Sequence, residues 1–195
     1  MNHGTAGNLS VRHGDGCLIT PSGVKPGALT HDTIVALDAS GAARVAGQLP
    51  SSEWRFHHAI YASRPDTRAV VHVHSAHATA LACLRRSLPA FHYMVAVAGG
   101  PDIRCAPYAT FGSEALAEAA MTALDGRVAC LLANHGMITL GTDVGVAIDL
   151  AIEVEDLARQ YLLALTVGEP VILSSAEMQI VLEKFKTYGA HHGDD

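Results

Sequence analysis

Ala69-Val70-Val71-His72-Val73-His74 is a run of small and β-branched apolar residues interrupted only by two histidines. Such a run reads as a strand covered on both faces, at the centre of a sheet. Side chains two apart on a strand point the same way, so His72 and His74 aim two imidazoles at one place. Polar rings buried on one face need partners there. Two hydrogen-bonded core histidines would satisfy that need, and so would a metal ion.

Reading outward from this strand gives an alternation of helices and strands. Ala76 to Leu84 is a helix. Upstream, Ser51 is expected to cap a helix running to Ala62, which Ser63-Arg64-Pro65-Asp66 ends. Further back, Leu9 to His13 and Cys17 to Thr20 read as strands joined by the Gly14-Asp15-Gly16 turn. Thr30 caps a helical turn ahead of a strand at Ile34 to Leu37. Downstream, a short strand near Arg104 precedes a helix capped by Ser113 and running to Leu124. Val128 to Ala133 and Met137 to Leu140 are two more apolar strands. Asp143 opens the longest helix, to about Val167, with apolar residues at intervals of three and four. Ser174 or Ser175 caps a last helix ending near Gly189. The expected fold is one α/β domain over residues 1–195. Its centre is a mixed, mainly antiparallel sheet flanked by helices.

The bulk numbers narrow the function. Of 195 residues, 49% are hydrophobic and 16% charged, a globular composition with little charge to cover the surface. That points mildly to subunit contacts. The formal net charge is −6, and the only basic pair is Arg85-Arg86, so a nucleic-acid partner is not expected. The four cysteines form no C-x-x-C pair and sit in apolar stretches, as free thiols of a reducing compartment do. The most apolar stretch, 69–84, is broken by histidines and too short for a bilayer, and no signal peptide opens the chain. A cytoplasmic protein with no membrane partner is expected.

A third histidine strengthens the metal reading. Asn134-His135-Gly136 ends a second apolar strand, where another ligand would fit. Three imidazoles with one open position are the pattern of a catalytic rather than a structural zinc. There are twelve histidines, so others arise by chance. His57-His58 falls on a helix, and His191-His192 in a solvated tail. Pro50-Ser51-Ser52-Glu53 opens a helix, where hydroxyls and free amides can hold an anion. A plain helix cap, with Glu53 answering the dipole, fits the same four residues. Gly7-Asn8 and Ser22-Gly23 are small-residue loops that let a ligand approach the backbone. Each alone is an ordinary turn. Together, beside a metal site, they point to a phosphate held by neutral donors.

These segments resemble a known family. Gly4 to Arg12, Leu18 to Gly23, Leu49 to His57, Ser63 to Asp66, Ala69 to His74 and Asn134 to Gly136 are similar to the class II aldolase/adducin family. Phe91 to Gly100, Cys105 to Gly112 and Val181 to Gly189 narrow the likeness to its ketose-1-phosphate branch. The resemblance implies one Zn²⁺ per subunit on His72, His74 and His135. Glu53 would be the acid/base and would also ligate the metal when no substrate is bound. Gly7, Asn8, Ser22, Gly23, Ser51 and Ser52 would hold the phosphate. Tyr93, from a neighbouring subunit of a homotetramer with interfacial sites, would move the proton of the aldehyde-derived hydroxyl. Phe111 and Tyr188 would shape the aldehyde end.

The reaction implied is cleavage of L-fuculose 1-phosphate, or a similar ketose 1-phosphate, to dihydroxyacetone phosphate and L-lactaldehyde. Pentulose-phosphate 4-epimerases and other class II sugar-phosphate lyases or dehydratases share the site and stay as alternatives. An adducin-like interaction module would lack the full metal set. Three departures are visible. The family carries about a helix and a half before the Gly7-Asn8 loop, so an N-terminal helix is expected to be missing or the start assigned late. Ser22 stands where the family often has threonine, and Asn134 where it has a histidine.

Overall fold

The computed structural model describes residues 4–186. Seven strands form one sheet: β1 (Asn8–His13), β2 (Gly16–Ile19), β3 (Val35–Leu37), β4 (Ala69–Val73), β5 (Cys105–Ala106), β6 (Ala129–Leu132) and β7 (Gly136–Gly141). Their order is β3-β2-β1-β4-β7-β6-β5. Every pairing is antiparallel except β5 with β6. The sheet is therefore mixed and mainly antiparallel, as the sequence implies. β4 lies in the middle of it, and all five of its residues are buried.

Four helices cover the two faces, α1 (Trp54–Ser63), α2 (Ala76–Cys83), α3 (Glu114–Ala123) and α4 (Val144–Val167), and α5 (Ser175–Phe185) packs against residues 93–98. Strand alternation sorts the core into two layers. Ala69, Val71 and Val73 of β4, with Ala129 and Leu131 of β6, join the layer under α2 and α4. Val70, Cys130, Leu132, Ile138 and Leu140 face the other way, into the layer under α1 and α3. Phe56, Leu131 and Leu132 are at most 1% exposed. Each side chain buried this fully contributes about 1.5–3 kcal/mol. On α4 the buried residues are Ala147, Leu150, Ala151, Val154, Leu157, Ala158 and Tyr161, the three-and-four spacing read in the sequence.

Most helix starts fall where the capping residues place them. Asp143 accepts from the Val146 amide, Ser113 from Leu116 and Ser174 from Glu177. One expectation is corrected. Ser51 does not cap α1; Glu53 is its N-cap residue and the helix starts at Trp54. The Ser51 amide donates to Thr20 O at 3.0 Å, and Pro50 bridges Pro21. Residues 50 and 51 are thus held extended beside the end of β2. The Ser51 hydroxyl instead accepts from the Glu53 amide at 3.3 Å, in the turn ahead of the helix.

Tyr93–Ala98, to which the sequence reading assigned no element, is a 3-10 turn. The expected end of the last helix near Gly189 lies outside the described residues. Among the described residues no helix is long and apolar enough to cross a membrane.

Candidate metal centre

β4 delivers His72 and His74 to the α1 side of the sheet, where His72 meets the edge of the Phe56 ring. His135 comes from the tight turn between β6 and β7. Asn134 there takes φ 56°, a left-handed backbone that asparagine tolerates better than most residues. Its amide donates to Ala82 O at 3.0 Å, and Arg85 Nε donates to its side-chain oxygen at 2.8 Å. The turn is thereby fixed with His135 facing β4.

The three rings meet edge to face, with centroids 4.8 Å apart in every pair. The carboxylate of Glu53 reaches in from the start of α1. Its Oε2 is 3.2 Å from His72 Nε2, and its Oε1 is 3.2 Å from His135 Nε2. One ligand atom from each of the four residues lies within 4.8 Å of the others.

The donor chemistry fits a cation. His72 Nδ1 is 2.9 Å from Met137 O, an acceptor that needs the ring N–H. Its Nε2, 2.9 Å from His74 Nε2, is therefore the bare nitrogen that faces the cluster. Glu53 Oε1 is buried and accepts no hydrogen bond. An unsatisfied carboxylate oxygen beside imidazole nitrogens is what a divalent ion would satisfy.

Electrostatics keep His74, His135 and Glu53 unprotonated. Burial, then the charge of His72, lowers His74 from the usual imidazole value. The same two causes bring His135 down to about 4. Burial alone would raise the Glu53 carboxyl, but the adjoining His72 and His135 rings and the Asn8 amide outweigh it and hold it at about 2.

Beside the cluster lies a cleft of about 360 Å³. Gly7, Asn8, Ser22, Gly23, Ser51 and Ser52 all line it, with Glu53, His74, His135 and Phe111. The three small-residue loops of the sequence thus converge on one place. Among the described residues that line it there is no lysine or arginine. Gly7 and Gly23 have φ of 76° and 73°, the left-handed region where glycine carries no penalty. The Phe111 loop is drawn close as well, because Gly112 O accepts from Arg55 at 2.9 Å.

The fold and this geometry agree with the comparison to known proteins. Residues 1–162 match the family model described as Class II Aldolase and Adducin N-terminal domain. The chain belongs to the class II aldolase/adducin family.

It is 59% identical over 189 residues to a 5-methylthioribulose-1-phosphate/5-deoxyribulose-1-phosphate aldolase of Rhodospirillum rubrum, spanning 97% of this chain and 85% of that one. It is 54% identical over 190 residues to the L-fuculose phosphate aldolase of Escherichia coli K12, spanning 97% and 88%. A solved L-fuculose 1-phosphate aldolase superposes with a TM-score of 0.90 at 46% identity, covering 94% of this chain and 87% of that chain. The chain is accordingly a class II aldolase, an enzyme class that works with a divalent metal, and its Glu/His cluster fits one.

One expected residue stands apart from the cleft. Tyr93 is 52% exposed on the 93–98 turn and is not among the lining residues. Tyr188 lies outside the described residues. Other site residues carried no sequence argument of their own. Tyr108 lines the cleft, 57% exposed, with the Arg85 guanidinium over its ring. His57 was placed on a helix and given no role. It is fully buried behind Asn8, and burial pushes it down to about 3. A signal existed: Glu53, His57 and Tyr61 are four apart, one face of a helix.

Proposed function

We propose that this chain is a zinc-dependent aldolase that breaks the C3–C4 bond of a ketose 1-phosphate, releasing dihydroxyacetone phosphate and a short aldehyde. The observation that carries this reading is the convergence of three imidazoles and one carboxylate beside a cleft lined by neutral donors. Three histidines with a carboxylate suit zinc, and manganese or cobalt would accept the same donors. A bound divalent cation supplies Lewis-acid polarisation of the ketose carbonyl.

The remaining roles fall to side chains of this chain. His72, His74 and His135 hold the cation. Gly7, Asn8, Ser22, Gly23, Ser51 and Ser52 hold the phosphate with amides and hydroxyls. Glu53, buried beside the three imidazoles, relays to C3 the proton that leaves the C4 hydroxyl, so that no proton is gained or lost over the cleavage. Tyr93 takes the proton of the C4 hydroxyl, and Phe111 and Tyr188 enclose the leaving aldehyde.

Tyr93 is exposed and away from the cleft of its own subunit, so in this reading it serves a neighbour's site. Exposed apolar side chains on α4, among them Ile148, Ile152 and Leu163, support a homotetramer. The free thiols and a phosphorylated substrate support cytoplasmic residence.

L-fuculose 1-phosphate, giving L-lactaldehyde, is the substrate placed first, on the resemblance of the segment around Tyr93 and of Val181 to Gly189. A second reading has its own support. The Rhodospirillum rubrum relative is named for 5-methylthioribulose 1-phosphate and 5-deoxyribulose 1-phosphate and shares 59% identity. All three compounds share a phosphorylated three-carbon head and a terminal carbon without a hydroxyl. Tyr108, Ala109 and Phe111 would meet that apolar end.

The test is a panel of the three compounds, with L-ribulose 5-phosphate as the epimerase control. Dihydroxyacetone phosphate release from at least one of the three supports the proposal, and the ranking of kcat/KM assigns the substrate. Conversion of L-ribulose 5-phosphate alone, with no triose released, overturns it.

A further inference from the structure

Three buried polar side chains, Tyr61, Ser10 and His57, form a row that leads to Asn8 and Glu53, and those three have no part in the reaction as described. Tyr61 OH is 2.9 Å from Ser10 Oγ, and Ser10 Oγ is 2.7 Å from His57 Nδ1. His57 Nε2 is 2.5 Å from Asn8 Oδ1, and Asn8 Nδ2 is 3.0 Å from Glu53 Oε2. Ser10 and His57 are fully buried, and Tyr61 nearly so.

The chemistry of each group fixes the direction of every proton. A carboxylate only accepts, so the Asn8 amide nitrogen must face Glu53. The Asn8 carbonyl oxygen then faces His57 and also only accepts, so His57 Nε2 carries the proton. A neutral imidazole has one N–H, which leaves Nδ1 bare, and Ser10 must donate to it. With its proton spent, Ser10 accepts from Tyr61. All four links point toward the cleft.

We propose that His57 is a positioning residue that locks the Asn8 side chain in one amide orientation. An unlocked amide could rotate and turn its oxygen toward the carboxylate and the cleft. Held by His57, Asn8 presents only N–H groups: one to Glu53, the other to an anion beside Gly7. The inference rests on the reading of Asn8 as a phosphate contact. Neither Ser10 nor Tyr61 touches the cleft lining, so their part is to fix the tautomer of His57.

Two variants separate this role from simple packing. In His57→Gln the side-chain amide nitrogen occupies the Nε2 position and can still donate to Asn8. In His57→Asn it occupies the Nδ1 position and keeps only the Ser10 contact. Both place a small amide in the same buried space. The dissociation constant for inorganic phosphate, measured by calorimetry on the whole protein with its metal, should rise about tenfold or more in His57→Asn, the worth of one hydrogen bond to a charged group. His57→Gln should stay near the parent value. Equal weakening in both variants, or none in either, overturns the proposal.

A nitrogen NMR spectrum of the parent protein provides a test that needs no variant. It should show His57 with Nδ1 bare and Nε2 protonated, and the opposite tautomer overturns the lock. If the parent binds no phosphate, the assignment of Asn8 to the phosphate falls, and the tautomer alone decides the part of His57.

Discussion

At the scale of single residues, the centre is a set of groups kept unprotonated by their surroundings. His57 at about 3 and His135 at about 4 sit below the usual imidazole 6.5 because burial disfavours their charged forms. An unfolded chain takes up those protons near 6.5, whereas the folded chain resists until far lower pH. The stability they contribute is complete above about 6.5 and is lost as pH falls through the folded values. Glu53, lowered from 4.5 to about 2, acts with the same sign at lower pH. The unfolding midpoint of the metal-free protein should therefore drop as pH falls from about 7 to about 4, and a flat midpoint contradicts this charge assignment. Glu53→Gln should lower turnover roughly 10²–10⁴-fold while the protein still binds metal through its histidines. Full activity in that variant removes Glu53 from the acid/base role. Much at this scale was legible in advance. His-x-His on an apolar strand means two rings on one face, and the structure puts them there. What could not be read was the partner of each ring. That His72 donates to Met137 O depends on the register of β4 against β7, a long-range fact that no local spacing encodes.

At the scale of elements, the site depends on strands approaching very closely. Gly136 opens β7 directly after His135 and one residue before the Met137–Val73 pair. A Cβ at this position would stand 2.5 Å from Val73 O, 2.9 Å from the His74 ring and 3.3 Å from the His72 ring. Gly136→Ala should cost about 1–3 kcal/mol of stability and displace the two imidazoles. Chemical denaturation and metal titration together check it: both stability and metal affinity should fall, and unchanged metal affinity would show that the rings have room to spare. The Asn-His-Gly triplet reads in the sequence as a ligand followed by a glycine. The need for that glycine is visible only once β4 lies alongside. The start of α1 teaches the same lesson in reverse. Serine is a strong capping residue, and Ser51 was expected to cap the helix. The pairing of Pro21 with Pro50 and the bond from Ser51 to Thr20 draw those residues into the edge of the sheet. The helix starts later, and Glu53 becomes the first residue free to turn inward.

At the scale of the whole molecule, the mainly antiparallel sheet was foreseen, whereas the order of its strands, set by long-range pairing, was not. The convergence of the loops at Gly7, Ser22 and Ser51 was not a property of any one of them. It arises because β1 begins, β2 finishes and the chain before α1 passes at the same end of the central strands, beside the turn that carries His135. Tyr93 gives a prediction at this scale. If it serves a neighbouring subunit, Tyr93→Phe and Glu53→Gln proteins, each nearly inactive, should recover part of the parent activity when unfolded and reassembled together. Mixed oligomers would then contain some sites with both residues intact. No recovery, in preparations shown by mass to be mixed, places Tyr93 outside the neighbour's site. The central claim is that His72, His74, His135 and Glu53 hold a divalent cation on which carbon–carbon cleavage depends. Its most direct test is the metal content per subunit of the parent and of His74→Ala, measured alongside dihydroxyacetone phosphate release by the same samples. One divalent ion per active subunit, with ion and activity lost together in the variant, is the predicted result. A parent protein that cleaves its substrate free of metal, or a variant that keeps both full metal and full activity, would contradict it.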